Sequence, residues 1–231
     1  MEKNFFYNSV YVIIGSFPIL FITGPFLTDL FCVILGLLFL LHNFKFKTWK
    51  EFLNHNKVYI NFFFVFYIYL NFNSFFSFNQ NISFLSSISF LRIFLFIFAI
   101  AYFISKQIRI YKIFYMIFFL SIFCLFVDSL LQSFFEMNIL RDKEIHANRI
   151  SSFFGDELIM GSYVSRLLPI ALASSFFINL KNKYKLNFIL ILLSGILIVL
   201  SGERLAALYY FGIVFIYFLI AKKYFLFFSF F

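Results

Sequence analysis

The sequence predicts an all-α protein, a polytopic bundle of transmembrane helices. Hydrophobic residues make up 63% of the 231 positions and charged residues only 13%, so this composition cannot cover a globule with an ordinary water-exposed surface. Apolar runs of roughly 15 to 22 residues recur along the chain, which suits a hydrocarbon core of about 30 Å crossed at about 1.5 Å per helical residue. Runs such as Ile189–Leu200 lack the alternation of a membrane β-barrel.

The chain is predicted to form one transmembrane domain, residues 1–231, with about eight complete spans and the start of a ninth. The spans are expected at 7–23, 26–41, 58–72, 86–104, 111–131, 158–179, 186–201 and 205–221, with the ninth beginning at Tyr224. The first run contains Pro18 and lacks a small-residue cleavage site, so it predicts a retained helix rather than a signal peptide. Cys32 and Cys124 lie inside separate spans, which indicates apolar packing rather than a disulfide.

Basic residues are distributed unevenly between the two predicted faces. One face carries most of the basic residues and only two acids, Glu2 and Glu51, and is predicted to be cytoplasmic together with the N-terminus. Its basic residues are Lys3, Lys45, Lys47, Lys50, Lys57, Lys106, Arg109, Lys112, Lys181, Lys183, Lys185, Lys222 and Lys223. The net charge of +9 is therefore a topology signal and does not indicate binding of nucleic acid.

Arginines are concentrated on the opposite, outside face. Apart from Arg109 they all lie there or in spans near it, at positions 92, 141, 149, 166 and 204, whereas Lys143 is the lysine found on that side. Arginine suits phosphate because its planar fork donates two parallel hydrogen bonds and keeps its proton. The outside arginines are therefore candidates for binding an anion.

The longest outside loop is predicted at residues 132–157 and contains most of the outside charges. For the segment Arg141–Glu144 we favour opposite charges that pair with each other in solvent. Arg149 differs, because an uncharged run follows it and a span begins near Leu158, so it is expected at the membrane surface. Ligand binding and structural pairing fit Arg149 equally well at this stage.

Arg166 lies inside the sixth predicted span, three residues before Pro169. An unpaired charge there costs about 2.5 to 3.5 kcal/mol on insertion scales, so it is expected to face the bundle interior or a wet cavity. A buried ion pair with Asp128 is the structural alternative to a binding role. Arg92, near the end of a span, is expected to extend to the interface.

The segment Ser201–Arg204 is predicted to be a two-helix turn with almost no loop. Gly202 permits the tight turn, and Arg204 is then expected on the first turn of the next helix, where free backbone N–H groups also attract anions. The alternative is that Glu203 and Arg204 only neutralise each other's charge at the turn. No nucleotide-binding glycine loop, metal cluster or cofactor site is predicted, since the histidines at 42, 55 and 146 stand apart from one another.

Two motifs on the outside face carry a family resemblance. Residues 149–170 read RISSFFGDELIMGSYVSRLLPI, and residues 200–208 read LSGERLAAL. Together with Asp128, Gln132 and the following loop, they resemble the superfamily of O-antigen ligases and O-antigen polymerases, which are bacterial inner-membrane glycosyltransferases of lipopolysaccharide biosynthesis. The resemblance covers roughly residues 10 to 221.

The resemblance implies a donor and a role for the arginines. In that family a glycan carried on undecaprenyl pyrophosphate is transferred to lipid A core, to another glycan or, in some relatives, to protein. Arg149 and Arg204 are implied to hold the donor pyrophosphate and to stabilise it as a leaving group, in an inverting-type transfer. Arg166 is expected to support them.

The chain departs from the family pattern in two places. Asp156 and Glu157 follow Gly155 where many relatives have Asn-Pro. The family histidine that activates the acceptor is expected beyond Phe231, so no catalytic residue is predicted, and His146 precedes both motifs. The chain is therefore expected to be an N-terminal portion, inactive alone. A polymerase, a lipid-linked glycan flippase or permease, and a non-catalytic membrane assembly protein remain as alternatives.

Overall fold

The computed structural model describes residues 2–106, 109–135, 137, 139, 149–179 and 181–221, and these ranges are overwhelmingly helical. They contain ten α-helices and a short 3₁₀ helix, Ser152–Phe154. The α-helices are α1 (Glu2–Ile22), α2 (Pro25–Phe46), α3 (Trp49–His55), α4 (Lys57–Ser74), α5 (Gln80–Ser89), α6 (Leu91–Lys106), α7 (Arg109–Phe135), α8 (Met160–Phe176), α9 (Lys183–Ser201) and α10 (Arg204–Ile220). The predicted all-α class is confirmed for the described residues.

Four of the described helical segments are long and apolar enough to cross a membrane, which indicates a membrane protein. They are Pro25–Phe46, Gln80–Lys106, Arg109–Phe135 and Lys183–Ser201, and Phe6–Ile22 and Arg204–Ile220 are shorter apolar helices. The other two predicted spans also lie on helices, but α4 carries three asparagines and α8 is short and contains Arg166. The ninth predicted span lies outside the described residues.

The chain divides into two compact units. Unit 1 comprises Met1–Ile13 and Phe26–Gln107, and unit 2 comprises Ile14–Pro25 and Ile108–Phe231. In unit 1, Arg92 on α6 forms an ion pair with Asp29 on α2, with 2.9 Å between Nη2 and Oδ2. Arg92 therefore has a carboxylate partner instead of extending alone to the interface.

His42 is a core residue of unit 1. Its side chain is 3% exposed, with Nε2 2.9 Å from the Tyr7 hydroxyl and Nδ1 3.3 Å from the Tyr102 hydroxyl. Aromatic rings of Phe6 and Phe46 lie against the imidazole. These contacts give His42 a packing role.

In unit 2, α8 packs against α7, α9 and α10. A buried polar network ties all four helices together through Asn187 on α9. Its Oδ1 accepts a hydrogen bond from the Tyr115 hydroxyl at 2.7 Å, and its Nδ2 donates to Ser175 Oγ at 2.7 Å and to the Tyr217 hydroxyl at 2.9 Å. Such interhelical bonds contribute about 0.6 to 1.7 kcal/mol each in membrane proteins, so this residue fixes the mutual register of the four helices.

The predicted loop at 132–157 begins later than expected. Helix α7 continues to Phe135, so Gln132 is helical and also 2% exposed. This last turn of α7 is stabilised because Gln132 Oε1 accepts a hydrogen bond from the N–H of Ser152. Residues 140–148, including Arg141, Lys143 and His146, lie outside the described part of the chain.

Candidate functional site

The connection between α9 and α10 is a tight turn, which we call the hairpin tip (Ser201–Arg204). Helix α9 ends at Ser201 and α10 begins at Arg204. Gly202 has a φ of 65°, a left-handed conformation that favours glycine, and its N–H bonds the carbonyl of Val199 at 3.1 Å. The predicted turn at Gly202 and the predicted position of Arg204 on the first turn of the next helix are both confirmed.

Arg149 lies on the hairpin tip. Its Nε donates to the carbonyl of Ser201 at 2.9 Å, and the neighbouring Ile150 N–H donates to the carbonyl of Leu200 at 3.1 Å. A Cβ added at Gly202 would lie 3.2 Å from Arg149 Cγ, so the arginine stem packs directly on the glycine. The two motifs of the sequence thus meet, and Arg149 is brought to the turn that carries Arg204.

Glu203 binds the first turn of α8 rather than its neighbour Arg204. Its Oε1 accepts hydrogen bonds from the N–H groups of Gly161 at 2.8 Å and Ser162 at 3.2 Å, and its Oε2 accepts from Ser162 Oγ at 2.5 Å. A carboxylate is stabilised there because the first turn of a helix has free N–H groups and a partial positive charge. The alternative in which Glu203 and Arg204 balance each other is therefore wrong.

This use of Glu203 leaves α10 uncapped. Glu203 is the N-cap residue of α10 but makes no side-chain cap hydrogen bond to it. Arg204 is exposed, and among the described residues neither Arg204 nor Arg149 pairs with a carboxylate. Arg149 therefore contacts the turn that carries Arg204 and the start of α10, and that helix N-terminus has no side-chain cap. Arginines at a helix N-terminus suit an anion with several oxygens.

Asp128 and Gln132 on α7 hold the start of the first motif. Asp128 is fully buried, and its two oxygens accept hydrogen bonds from Ser152 Oγ at 2.5 Å and from the N–H of Ile139 at 2.7 Å. Gln132 Oε1 accepts from the N–H of Ser152 at 2.8 Å. Ser152 has a φ of 54°, unusual for a residue with a side chain, and these bonds hold it there.

The structural alternative for Arg166, a buried ion pair with Asp128, is wrong. The two Asp128 oxygens accept hydrogen bonds from Ile139 and Ser152, whereas Arg166 is exposed and lines a cavity of about 390 Å³. Arg166 was expected to face the bundle interior or a wet cavity, and its position on this cavity agrees with the second possibility. The other lining residues are Phe21, Phe154, Ile159, Ser162, Tyr163 and Leu167.

Ser162 links the Arg166 cavity to the hairpin tip. It lines the cavity and also donates its hydroxyl to Glu203. Ser162 was not singled out from the sequence, because a serine near a helix start is common and nothing in the sequence pairs it with Glu203. Asp156 and Glu157 are exposed and form no ion pair within the described residues.

Gly161→Ala is expected to loosen the contact between α8 and the hairpin tip. The added Cβ would collide with Ser201 Oγ and lie 3.0 Å from Glu203 Oε1 and 3.1 Å from Ala206 Cβ, so we expect a loss of about 1 to 3 kcal/mol. Titration of the detergent-solubilised chain with sodium dodecyl sulfate, followed by circular dichroism, measures the free energy of unfolding.

Gly212→Ala is the matched control, because a Cβ there meets nothing within 4 Å and alanine favours the helix by about 1 kcal/mol. It should leave the free energy of unfolding unchanged or raise it. Equal effects of the two alanines would contradict the close packing at Gly161.

Comparison with protein-family models, with curated proteins and with solved structures finds no match to this chain. The O-antigen ligase resemblance therefore rests on the residues of the two motifs. What the structure adds is their contact in space: Arg149 bonds the hairpin tip, and Glu203 of the second motif bonds Gly161 and Ser162 of the first.

Proposed function

We propose that the chain is an O-antigen ligase-like membrane protein that binds an undecaprenyl-pyrophosphate-linked glycan, the donor for transfer to lipid A core or to another glycan. Arg149 and Arg204 hold the pyrophosphate, and Arg166 supports the donor from the neighbouring cavity. The observation that carries this proposal is the meeting of both motifs at the hairpin tip with Glu203 turned away onto α8.

The chemistry follows from the charges at the tip. Breaking the glycosidic bond leaves extra negative charge on the pyrophosphate, and fixed guanidinium groups and N–H dipoles stabilise that charge without reorganising. The backbone carbonyl of Ser201 accepts a hydrogen bond from Arg149 Nε. This bond orients the guanidinium group and leaves its remaining N–H donors for phosphate oxygens. The described part of the chain supplies this donor clamp.

We also propose the membrane arrangement that this function needs. Eight spans cross a bacterial inner membrane, the N-terminus and the lysine-rich face are cytoplasmic, and the hairpin tip is periplasmic. The lysine bias supports the orientation through the positive-inside rule, and the helices over all eight predicted ranges support the count.

Two alternatives differ in what the arginines do. An O-antigen polymerase would use the same donor clamp with a growing glycan as acceptor, and a flippase or permease would grip the same anion without transfer. A non-catalytic assembly protein is favoured by one specific observation: Asp128 and Glu203 both make internal hydrogen bonds that stabilise the fold. A measurement of donor binding distinguishes the two, because an assembly protein is not expected to bind undecaprenyl pyrophosphate.

Arg149→Lys and Arg204→Lys are each expected to weaken binding of undecaprenyl pyrophosphate by about tenfold, or about 1.4 kcal/mol, because lysine loses the bidentate fork. Microscale thermophoresis of the purified chain in detergent measures the dissociation constant.

The matched control is Arg109→Lys, since Arg109 is an exposed arginine at the start of α7, far along the helix from Asp128. It should leave the affinity unchanged. Unchanged affinity in both Arg149→Lys and Arg204→Lys, with normal folding, would contradict the pyrophosphate clamp and favour the assembly protein.

Single cysteines introduced at Asp156 and Lys183, with Cys32 and Cys124 replaced by alanine, are expected to react from opposite sides of the membrane. A membrane-impermeant maleimide applied to intact spheroplasts should label the first position, and the second only after permeabilisation. Labelling of both positions from the same side would contradict the proposed topology.

A further inference from the structure

Unit 1 contains a second cavity, far along the chain from the hairpin motifs. It measures about 520 Å³ and is formed by α3 with its flanking residues and by the last turns of α6. Phe52 and Tyr102 provide its buried aromatic floor, with 6% and 7% of their surfaces exposed. Its polar lining residues are Thr48, Asn56, Ser105 and Lys106. The first three donate hydrogen bonds within the chain, to Asn43 Oδ1 and to the carbonyls of Phe52 and Tyr102, which leaves the ammonium group of Lys106 for a ligand.

The cation of the cavity lacks an acidic partner among the side chains that the structure describes. Lys106 Nζ lies 5.3 Å from the centre of the Tyr102 ring and forms no ion pair there.

The position of the cavity indicates a membrane interface. Two membrane-length helical segments, Pro25–Phe46 and Gln80–Lys106, end at or beside it. The connection from Lys45 to Lys57 carries four lysines and one acid, Glu51, and the short helix α3 within it begins with Trp49, a residue type that favours the headgroup region. Lysine side chains at that depth attract anionic headgroups by about 1 kcal/mol each.

We propose that this cavity binds the headgroup of an anionic glycerophospholipid, with the phosphate at the ammonium group of Lys106. The apolar floor of Phe52 and Tyr102 accepts the glycerol end of the lipid, while the acyl chains follow the apolar surface of α6. A lipid is favoured over a soluble anion because aromatic floor and cationic rim meet at the end of a membrane-length helix.

Native mass spectrometry of the full chain, released from detergent with added lipids, tests the proposal. Phosphatidylglycerol is compared with phosphatidylcholine of identical acyl chains, and we expect phosphatidylglycerol to be retained preferentially. Lys106→Gln should lower its retention about tenfold, as expected for the loss of a charge-assisted contact. Equal retention of the two lipids would overturn the proposal.

Ala101→Trp separates the cavity from a general attraction by lysines. Ala101 is exposed and lines the cavity, so tryptophan would fill the space without changing any charge. We expect it to abolish the preference for phosphatidylglycerol. Retention of the preference in Ala101→Trp would show that diffuse basic charge, not the cavity, selects the lipid.

Lys183→Gln is the matched control for Lys106→Gln. Lys183 also lies near a tyrosine ring, 5.6 Å from the centre of Tyr184, at the start of α9 and outside the cavity. It should leave lipid retention unchanged. Inorganic phosphate, added alone, should not compete with bound phosphatidylglycerol; displacement by phosphate would assign the cavity to a soluble anion and overturn the lipid proposal.

Discussion

The carboxylate of Glu203 binds the first turn of α8, and the arrangement of the hairpin tip depends on this contact. Three donors from Gly161 and Ser162 hold the two carboxylate oxygens. Gly161 has no side chain that could separate α8 from the tip, where Ser201 and Ala206 approach it closely. Because Glu203 binds α8, its side chain does not cap the N-terminus of α10, and Arg204 forms no ion pair with it or with any other carboxylate that the structure describes.

Arg149 reaches the same place by a second set of contacts. Asp128 and Gln132 on α7 hold Ser152 in a left-handed conformation, which fixes the chain three residues after Arg149. The Arg149 side chain then bonds the Ser201 carbonyl and packs on Gly202. Asp128 and Glu203 thus stabilise the fold through hydrogen bonds to serine and backbone donors. Neither forms an ion pair with Arg149 or Arg204, so both arginines remain available for a ligand.

Local features of this site follow from the sequence, whereas its pairings do not. The turn at Gly202 and the helix start at Arg204 were predictable, because a glycine between two apolar segments commonly ends the first helix in a left-handed conformation. The alternative of an ion pair between Asp128 and Arg166 is not observed, because opposite charges near the same end of a helix bundle do not determine which side chains point at each other. Asp128 instead accepts hydrogen bonds from a backbone N–H 11 residues away and from a serine 24 residues away, and local sequence patterns do not predict such distant pairings.

Glu203 illustrates the same limit and offers the most direct test. A double-mutant cycle of Glu203→Ala with Ser162→Ala, measured by the free energy of unfolding, should give a coupling of about 1 to 3 kcal/mol, as for a hydrogen bond to a charged group. The parallel cycle of Glu203→Ala with Arg204→Ala should give a coupling near zero. A large coupling with Arg204 and none with Ser162 would contradict this account, because Glu203 would then neutralise the arginine that is proposed to bind phosphate.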